Sequence, residues 1–196
     1  FAFLLSGLLA GIAGVLWVIQ RGSVDPLMGF KPVLAAFIVA VIGGLGSLTG
    51  AVAGGFILSA IEIAQAFITA KKEGHGSKRS ILILHVSGEE KGLLGSEWYS
   101  EFHVFQLENT VCDLNIDMTG RRDEGHEGKP DYIYVIGSDK LSSQLHDVLL
   151  EQNKQHMGLD LDFTFNDPND PNRFYYRSDH YNFAKHGIPV VFLFNG

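Results

Sequence analysis

Two groups of carboxylates follow apolar runs in the second half of the chain, and their side chains are the best suited to chemistry. Gly88-Glu89-Glu90 follows the run at residues 80–86, and Asp117 follows the run at residues 111–116. A carboxylate beside a metal ligand can take a proton from metal-bound water, because the metal lowers the pKa of that water. The spacing therefore fits a metal ligand beside a general base. A solvated glutamate pair in a loop is the alternative.

The elements that must position these carboxylates are four strands and three helices. Short apolar runs predict buried strands, and amphipathic periodicity with a Ser or Asp cap predicts helices. The strands are expected at residues 80–86, 111–116, 132–136 and 188–194, and the helices at residues 93–102, 141–156 and 178–185. Strands that alternate with helices favour an α/β domain with a mostly parallel sheet, whose active site forms beyond the carboxyl ends of the strands.

Three motifs in the second half occur in an order that resembles a known family. They are Ser87-Gly88-Glu89-Glu90-Lys91-Gly92-Leu93-Leu94-Gly95-Ser96, then Asn115-Ile116-Asp117-Met118-Thr119-Gly120-Arg121, then Tyr175-Tyr176-Arg177-Ser178-Asp179-His180 with Gly187-Ile188-Pro189-Val190. Together they resemble the M28 family of zinc aminopeptidases over about residues 62–196. The resemblance implies hydrolysis of a peptide substrate by two zinc ions. It makes Glu89 the general base and Glu90 and Asp117 zinc ligands, with supporting or substrate-proximal positions for Tyr176, Asp179 and His180.

The same resemblance implies ligands that this sequence does not supply. The family takes a His and a bridging Asp from a His-x-Asp motif, which occurs nowhere in residues 1–196, and its last His follows the final strand. His75 and His126 do not replace them, because both lie in Gly-rich charged turns where we expect solvated side chains. Catalytic zinc needs about three protein ligands. We therefore expect an incomplete domain, lacking its early strands, that binds zinc weakly at best and has no peptidase activity.

The composition divides the chain into two chemically different parts. Of its 196 residues 15 are basic and 22 are acidic, and residues 1–61 carry only Arg21, Asp25 and Lys31 of these. A net charge of −7 argues against a nucleic-acid-binding surface, which needs clustered Lys and Arg. The single cysteine, Cys112, excludes an internal disulfide framework and a zinc site with several cysteines.

The first part has the composition of membrane-spanning helices. Residues 1–20 and 32–61 are uncharged, and each stretch reaches the roughly 20 apolar residues that cross a bilayer. The glycine-rich segment at residues 43–50 is expected to interrupt the second stretch. The sequence therefore predicts N-terminal transmembrane helices over residues 1–61, which attach the chain to a membrane.

Two motifs in this part resemble a second family. Ser23-Val24-Asp25-Pro26-Leu27-Met28-Gly29-Phe30 and Ala40-Val41-Ile42-Gly43-Gly44-Leu45-Gly46-Ser47 resemble the permease subunits of branched-chain amino acid ABC transporters. The resemblance implies a bacterial inner membrane, an ATPase partner and a substrate-binding protein. Residues 1–61 are only a permease fragment, joined through a helical junction at residues 62–77 to the partial peptidase domain at residues 78–196. Three functions stay open: a peptidase, a transporter, and a non-catalytic membrane-tethered module that binds peptides or a partner.

Overall fold

The computed structural model of the protein describes residues 2–21, 28–44, 47–128 and 131–195. The chain divides into two compact units, Phe1–His85 and Val86–Gly196. The first unit is helical, and the second combines helices with a sheet. The boundary between the units lies about 24 residues after the change in composition at residue 61, because α3 continues into the charged part of the sequence.

Three helices form the first unit: α1 (Ala2–Arg21), α2 (Phe30–Gly43) and α3 (Leu48–Lys72). The interruption expected in the glycine-rich segment is present, since α2 ends at Gly43 and Ser47 caps α3 by accepting a hydrogen bond from the Gly50 N–H at 3.0 Å. Helices α2 and α3 pack closely at Gly54, where a Cβ atom would lie 2.7 Å from the Val39 carbonyl oxygen. A glycine at this position lets the two backbones approach.

Only one helix in the described part of the chain is long and apolar enough to cross a membrane, Val52–Lys72. The apolar segments Leu4–Leu16 and Pro32–Ile42 are shorter. The uncharged stretch at residues 32–61 does not form one long helix, because Gly44 takes a φ of +90° that ends α2. The structure therefore supports one membrane-spanning helix by length and composition.

The second unit contains three helices and four strands. In chain order they are α4 (Leu94–Glu101), β1 (Asp113–Ile116), β2 (Tyr132–Ile136), α5 (Ser143–Gln152), β3 (Asp160–Asp162), α6 (His180–Ala184) and β4 (Val190–Phe194). A π-turn at Asn153–Met157 extends α5 over the predicted helical range. The helix and strand predictions from residue 93 onward are confirmed in position, and the short strand β3 was not predicted.

The sheet is mixed, which corrects the prediction of a mostly parallel sheet. Its order is β1-β4-β2-β3, with parallel pairs β1–β4 and β2–β3 on either side of an antiparallel pair β2–β4. A parallel connection needs a long crossover, usually a helix. Between β1 and β2 the described residues form only a 3-10 turn at Glu124–His126, so β2 enters the sheet in the opposite direction.

The strand expected at residues 80–86 is absent, and this prediction was wrong. These residues are extended but unassigned to any strand, and Ile81, Leu82 and Leu84 are 46%, 51% and 38% exposed. An apolar run becomes a strand only when a neighbouring strand satisfies its backbone N–H and C=O groups. The apolar pattern indicates a preference for burial, but it does not show whether a neighbouring strand is present to pair with.

The core of the second unit lies around β2 and β4. Val135, Ile136, Val190 and Val191 are at most 1% exposed. Buried side chains of β2 and β4, most of them aromatic, form one cluster of this core. They are Tyr132, Tyr134, Ile136, Phe192 and Phe194. The strand β1 lies outside this core at one edge of the described sheet, and it is the strand that leads to Asp117.

Candidate functional site

The site begins on the polar face of β1. Side chains alternate along a strand, so Asp113, Asn115 and Asp117 share one face and are partly buried. Leu114 and Ile116 point to the other face and are 62% and 67% exposed. The strand therefore presents one amide and two carboxyl groups in a row toward the interior of the unit.

A buried serine connects two of these side chains. Asn115 donates from Nδ2 to Ser178 Oγ at 2.8 Å, and Ser178 Oγ donates to Asp117 Oδ2 at 3.0 Å. Ser178 is 2% exposed, so its hydroxyl has no bulk water to bond instead. This chain of hydrogen bonds orients the Asp117 carboxylate. Ser178 lies in the third motif, but the sequence indicated no role for it beyond a possible helix cap.

Replacing Ser178 by Ala is expected to lower the free energy of unfolding of the second unit by about 2 kcal/mol, because it leaves Asn115 and Asp117 without a buried partner. Urea unfolding of residues 1–196 in detergent micelles, followed by the near-ultraviolet circular dichroism of the tyrosines, measures this change. Ser143→Ala at the exposed start of α5 is the matched control and is expected to stay within about 0.5 kcal/mol of wild type. Equal losses in the two variants would contradict the bridging role.

Glu89 and Glu90 lie on a short 3-10 turn, Glu89–Lys91. The turn is flanked by Gly88 at φ +74° and Gly92 at φ +107°, which are left-handed conformations that favour glycine. The two glycines of the motif therefore have a geometric role, since they let the chain reverse before α4 begins. Glu89 is half-buried and Glu90 is exposed.

A second network connects this region to α6. Ser96 in α4 donates from Oγ to Asp179 Oδ1 at 2.5 Å, and Asn182 donates from Nδ2 to Ser96 Oγ at 2.7 Å. The Leu93 carbonyl oxygen also accepts from Asn182 Nδ2, at 3.1 Å. Ser96 is fully buried and Asn182 is 3% exposed. Asp179 therefore holds α4, which follows the Glu89 turn, and the sequence had indicated neither Ser96 nor Asn182.

The carboxylates act on one another electrostatically. Burial raises the pKa of Glu89, and the negative charges of Asp117, Asp179 and Glu90 raise it further, while Arg177 opposes them. Burial also raises the pKa of Asp179, with the Ser96 hydrogen bond opposing and Asp117 adding to the rise. The structure thus brings Glu89, Glu90, Asp117 and Asp179 into one cluster of like charge, which a cation would stabilise.

The donor set does not make a zinc site. In the residues that the structure describes, no group of three or more His, Cys, Asp or Glu side chains is placed to hold a metal ion. One oxygen of Asp117 is already bonded to Ser178, and Glu90 is exposed. A catalytic zinc takes about three protein ligands. The carboxylates are present in the expected region, but they do not fit the ion that the motif implies.

His180 and Tyr176 lie in different surroundings, one inside the unit and the other at its surface. His180 is fully buried and stacks on Phe192, with ring centroids 4.7 Å apart. Burial lowers the pKa of His180 to about 4, so the ring is neutral at physiological pH. Tyr176 is 44% exposed, and the guanidinium of Arg173 lies 4.8 Å from its ring centroid. The site roles proposed for these two side chains stay predictions.

His126 forms a polar cluster that the sequence did not indicate. We expected this side chain to be solvated, but it is 8% exposed and its ring stacks on Tyr132 at a centroid distance of 3.6 Å. Its Nδ1 lies 2.8 Å from Asp123 Oδ1, and its Nε2 lies 3.2 Å from Asp162 Oδ2. The Tyr134 hydroxyl donates to Asp123 and is the main cause that lowers the pKa of that carboxyl. The cluster joins the loop after β1 to strands β2 and β3.

Two protein-family models match the chain, and they overlap between residues 50 and 86. The model of peptidase family M28 matches residues 50–196, which is three quarters of the chain. The model of the permease component of branched-chain amino acid transport systems matches residues 1–86. Both resemblances found in the motifs are thereby confirmed. No solved structure matches the chain at a significant level.

Curated relatives of the chain are permease proteins of branched-chain amino acid transport systems. The high-affinity branched-chain amino acid transport system permease protein BraD of Pseudomonas aeruginosa is 34% identical over 93 residues, covering 47% of this chain and 30% of BraD. The permease proteins LivH of Salmonella typhimurium and Escherichia coli K12 are each 35% identical over 94 residues, with the same coverage. The chain therefore spans less than a third of the length of the relatives it matches.

Proposed function

We propose, from the premise that this chain belongs to peptidase family M28, that its second part is an incomplete metallopeptidase domain carried by a permease-like membrane segment. The observation that carries the proposal is the cluster of Glu89, Glu90 and Asp117 with Asp179, because these are the positions that the M28 motifs select. Glu89 is proposed as the general base. Burial and neighbouring negative charge raise its pKa, which is the direction that improves a carboxylate as a proton acceptor. Glu90 and Asp117 are proposed to occupy the positions that would each hold one zinc ion in a complete domain.

The supporting residues are proposed to act through position and not through metal binding. Asp179 holds α4 through Ser96, and Ser178 orients Asp117. His180 fills the interior beside Phe192, and Tyr176 stands at the surface nearby in sequence, where a substrate is accessible to it. In this scheme Ser178 and Ser96 orient two carboxylates, and the Glu89 carboxylate, which accepts the proton, stays half-buried.

The polypeptide of residues 1–196 supplies two of the five metal ligands that the motifs imply. No His-x-Asp sequence occurs in it, so the bridging carboxylate and its histidine are missing, and its His180 ring is fully buried against Phe192. We propose that this polypeptide does not hold a pair of zinc ions and does not cleave peptides. The partition into residues 1–61, 62–77 and 78–196 is likewise a proposal.

Zinc content and hydrolysis test the proposal together. Residues 1–196, purified in detergent and dialysed without chelator, are expected to retain less than one zinc ion per chain by elemental mass spectrometry. Hydrolysis of aminoacyl-anilides is expected to equal that of a Glu89→Gln variant purified in the same way. Two retained zinc ions with hydrolysis that Glu89→Gln abolishes would overturn the claim of inactivity and support the complete reaction.

A transporter is the second candidate, and the similarity to BraD and LivH favours it for the first part. In that case residues 1–61 belong to a bacterial inner-membrane permease that works with an ATPase and a binding protein. In the described range α1 and α2 lie within this segment, and the helix long enough to span a membrane, Val52–Lys72, begins in it and ends beyond residue 61. We propose that it anchors the chain without forming a transport path. A membrane-tethered module that binds peptides or a partner is the remaining alternative.

A further inference from the structure

A groove opens on the C-terminal half of α3, inside the first unit. The chain leaves α3 at Lys72 and turns back along the helix, enclosing a cavity of about 220 Å³. Its lining includes four apolar side chains and two cations, which are Phe67, Ile68, Ile81, Ile83, Lys71 and Arg79. One wall is helical and the other is the extended segment after the turn, so the groove is built by residues close in sequence.

The turn that forms the groove is tightly held. The His75 N–H donates to the Ala70 carbonyl oxygen at 2.8 Å. A Cβ atom on Gly76 would lie 2.7 Å from Lys71 Cβ, so the backbone of the turn rests directly on the lysine stem. The Ser77 hydroxyl makes two hydrogen bonds with the backbone of Arg79. It accepts from the Arg79 N–H at 3.2 Å and donates to the Arg79 carbonyl oxygen at 2.6 Å. Lys71 and Arg79 are thereby kept at the mouth of one cavity.

The floor of the groove is apolar and open. Phe67, Ile68 and Ile81 are 45%, 49% and 46% exposed. They belong to or face a helix long enough to span a membrane, where exposed apolar side chains meet lipid. The extended backbone of residues 80–86 is not part of any strand, and such backbone is not stable in hydrocarbon. This end of α3 therefore lies at the level of the lipid headgroups.

Lys71 and Arg79 line the groove, and two further cations are their direct neighbours in the sequence. Lys71, Lys72, Lys78 and Arg79 lie within nine residues, with Glu73 as the single carboxylate among them. Within the part of the chain that the structure describes, the ion pairs found involve His126 and none of these four cations. Clusters of Lys and Arg directly beside a membrane-spanning helix attract anionic lipid.

We propose that this groove binds an anionic phospholipid. The headgroup phosphate lies between Lys71 and Arg79, and one acyl chain lies along Phe67, Ile68, Ile81 and Ile83. A free anion would leave the apolar floor unused. A zwitterionic lipid would place its ammonium group among four cations. The proposal concerns the first unit alone and is independent of the peptidase assignment.

Native mass spectrometry of residues 1–196 tests the proposal directly. The protein is released from micelles that contain equal amounts of phosphatidylglycerol and phosphatidylcholine, and the two kinds of lipid adduct are counted. Each cation near an anionic surface contributes roughly a fivefold preference. Phosphatidylglycerol adducts are therefore expected to exceed phosphatidylcholine adducts by at least about fivefold, and an excess of inorganic phosphate is expected not to remove them. Equal adducts would overturn the proposal, as would displacement by phosphate.

Two double variants locate the site. Lys71→Gln with Arg79→Gln is expected to remove this preference of at least about fivefold and to bring the two kinds of adduct near equality. Lys154→Gln with Arg122→Gln removes the same charges from exposed positions of the second unit and is expected to keep the wild-type preference. Lys71→Arg with Arg79→Lys keeps the charge and is expected to keep the preference too. A preference that survives the first variant, or that falls equally in the control, would overturn the assignment to this groove.

Discussion

Replacing Asp113 by Asn is expected to remove the contribution of about 3 kcal/mol to the free energy of unfolding that the Asp113 carboxyl loses between pH 4 and pH 6. Asp113 lies on β1 and its Oδ2 atom is buried without a hydrogen-bond partner. Burial, followed by the negative charge of Asp179, raises the pKa of Asp113 from 3.8 to about 6. The folded protein therefore binds this proton more tightly than the unfolded chain does.

The sign of the effect follows from that difference. A carboxyl group with a raised pKa contributes its full stability below pH 3.8 and loses it as the pH rises through 6, at about 1.4 kcal/mol per pH unit. An amide does not titrate, so the variant gains about 3 kcal/mol relative to wild type between pH 4 and pH 7. The buried amide can itself lower stability at every pH, and therefore the pH dependence is the quantity to compare.

Urea unfolding of residues 1–196 in detergent micelles at pH 4, 5, 6 and 7 gives the comparison, with the near-ultraviolet signal of the tyrosines reporting on the second unit. Asp147→Asn, at an exposed position of α5, is the matched control and is expected to unfold with the wild-type pH profile. If Asp113→Asn also kept the wild-type profile, the Asp113 carboxyl would not be a buried acid.

Replacing His180 by Phe is expected to remove a pH-dependent contribution to the free energy of unfolding that is similar in size to that of Asp113 and opposite in sign. His180 is fully buried, and burial lowers its pKa from 6.5 to about 4. The unfolded chain binds the proton more tightly, so the stability from this group is present above pH 6.5 and is lost as the pH falls to 4. The loss in the wild-type protein is about 3 kcal/mol.

Phenylalanine keeps a flat ring against Phe192 and does not titrate. The variant is therefore expected to lose no stability from this position between pH 6.5 and pH 4, measured by the same urea series. His156→Gln, exposed in the π-turn after α5, is the control and is expected to follow the wild-type profile. An acid loss in His180→Phe as large as in the wild type would show that another group is responsible.

Asp113 and His180 contribute to the pH dependence of the free energy of unfolding with opposite signs. Between pH 4 and pH 6 the contribution of Asp113 falls with pH while that of His180 rises, and each changes by about 1.4 kcal/mol per unit. Their sum is nearly constant across this range. Each single variant is thus expected to differ in slope from the wild type, in opposite directions, and the double variant is expected to run nearly parallel to the wild-type profile.

The sequence predicted the local elements of the second unit well from residue 93 onward. The strand at residues 132–136 was placed at its exact bounds, and α4, α5, α6 and β4 were each found within a few residues of their ends. These elements follow from periodicity and capping, which depend on neighbours in the sequence. Residues 80–86 had the same apolar character and formed no strand, because a strand also needs a partner that periodicity does not reveal.

The candidate site shows the same limit. The motifs selected Glu89, Glu90 and Asp117, and the structure brings their charges together. They contain Ser178 and Ser96 but gave neither a role, although Ser178 bonds Asp117 from 61 residues away and Ser96 bonds Asp179 from 83 residues away. His126 was expected in solvent, but Tyr132 and Asp162 cover it after β2 and β3 have paired.

The sequence by itself determined that the chain has two chemically different parts, which families they resemble, and which carboxylates follow β1 and precede α4. These properties depend on residue type and on spacing along the chain. The tertiary structure alone decided the reversed direction of β2, the burial of His126, Asp113 and His180, and the hydrogen bonds that orient Asp117. Those properties arise from contacts between residues distant in sequence, since burial and hydrogen-bond partners exist only once the strands have packed.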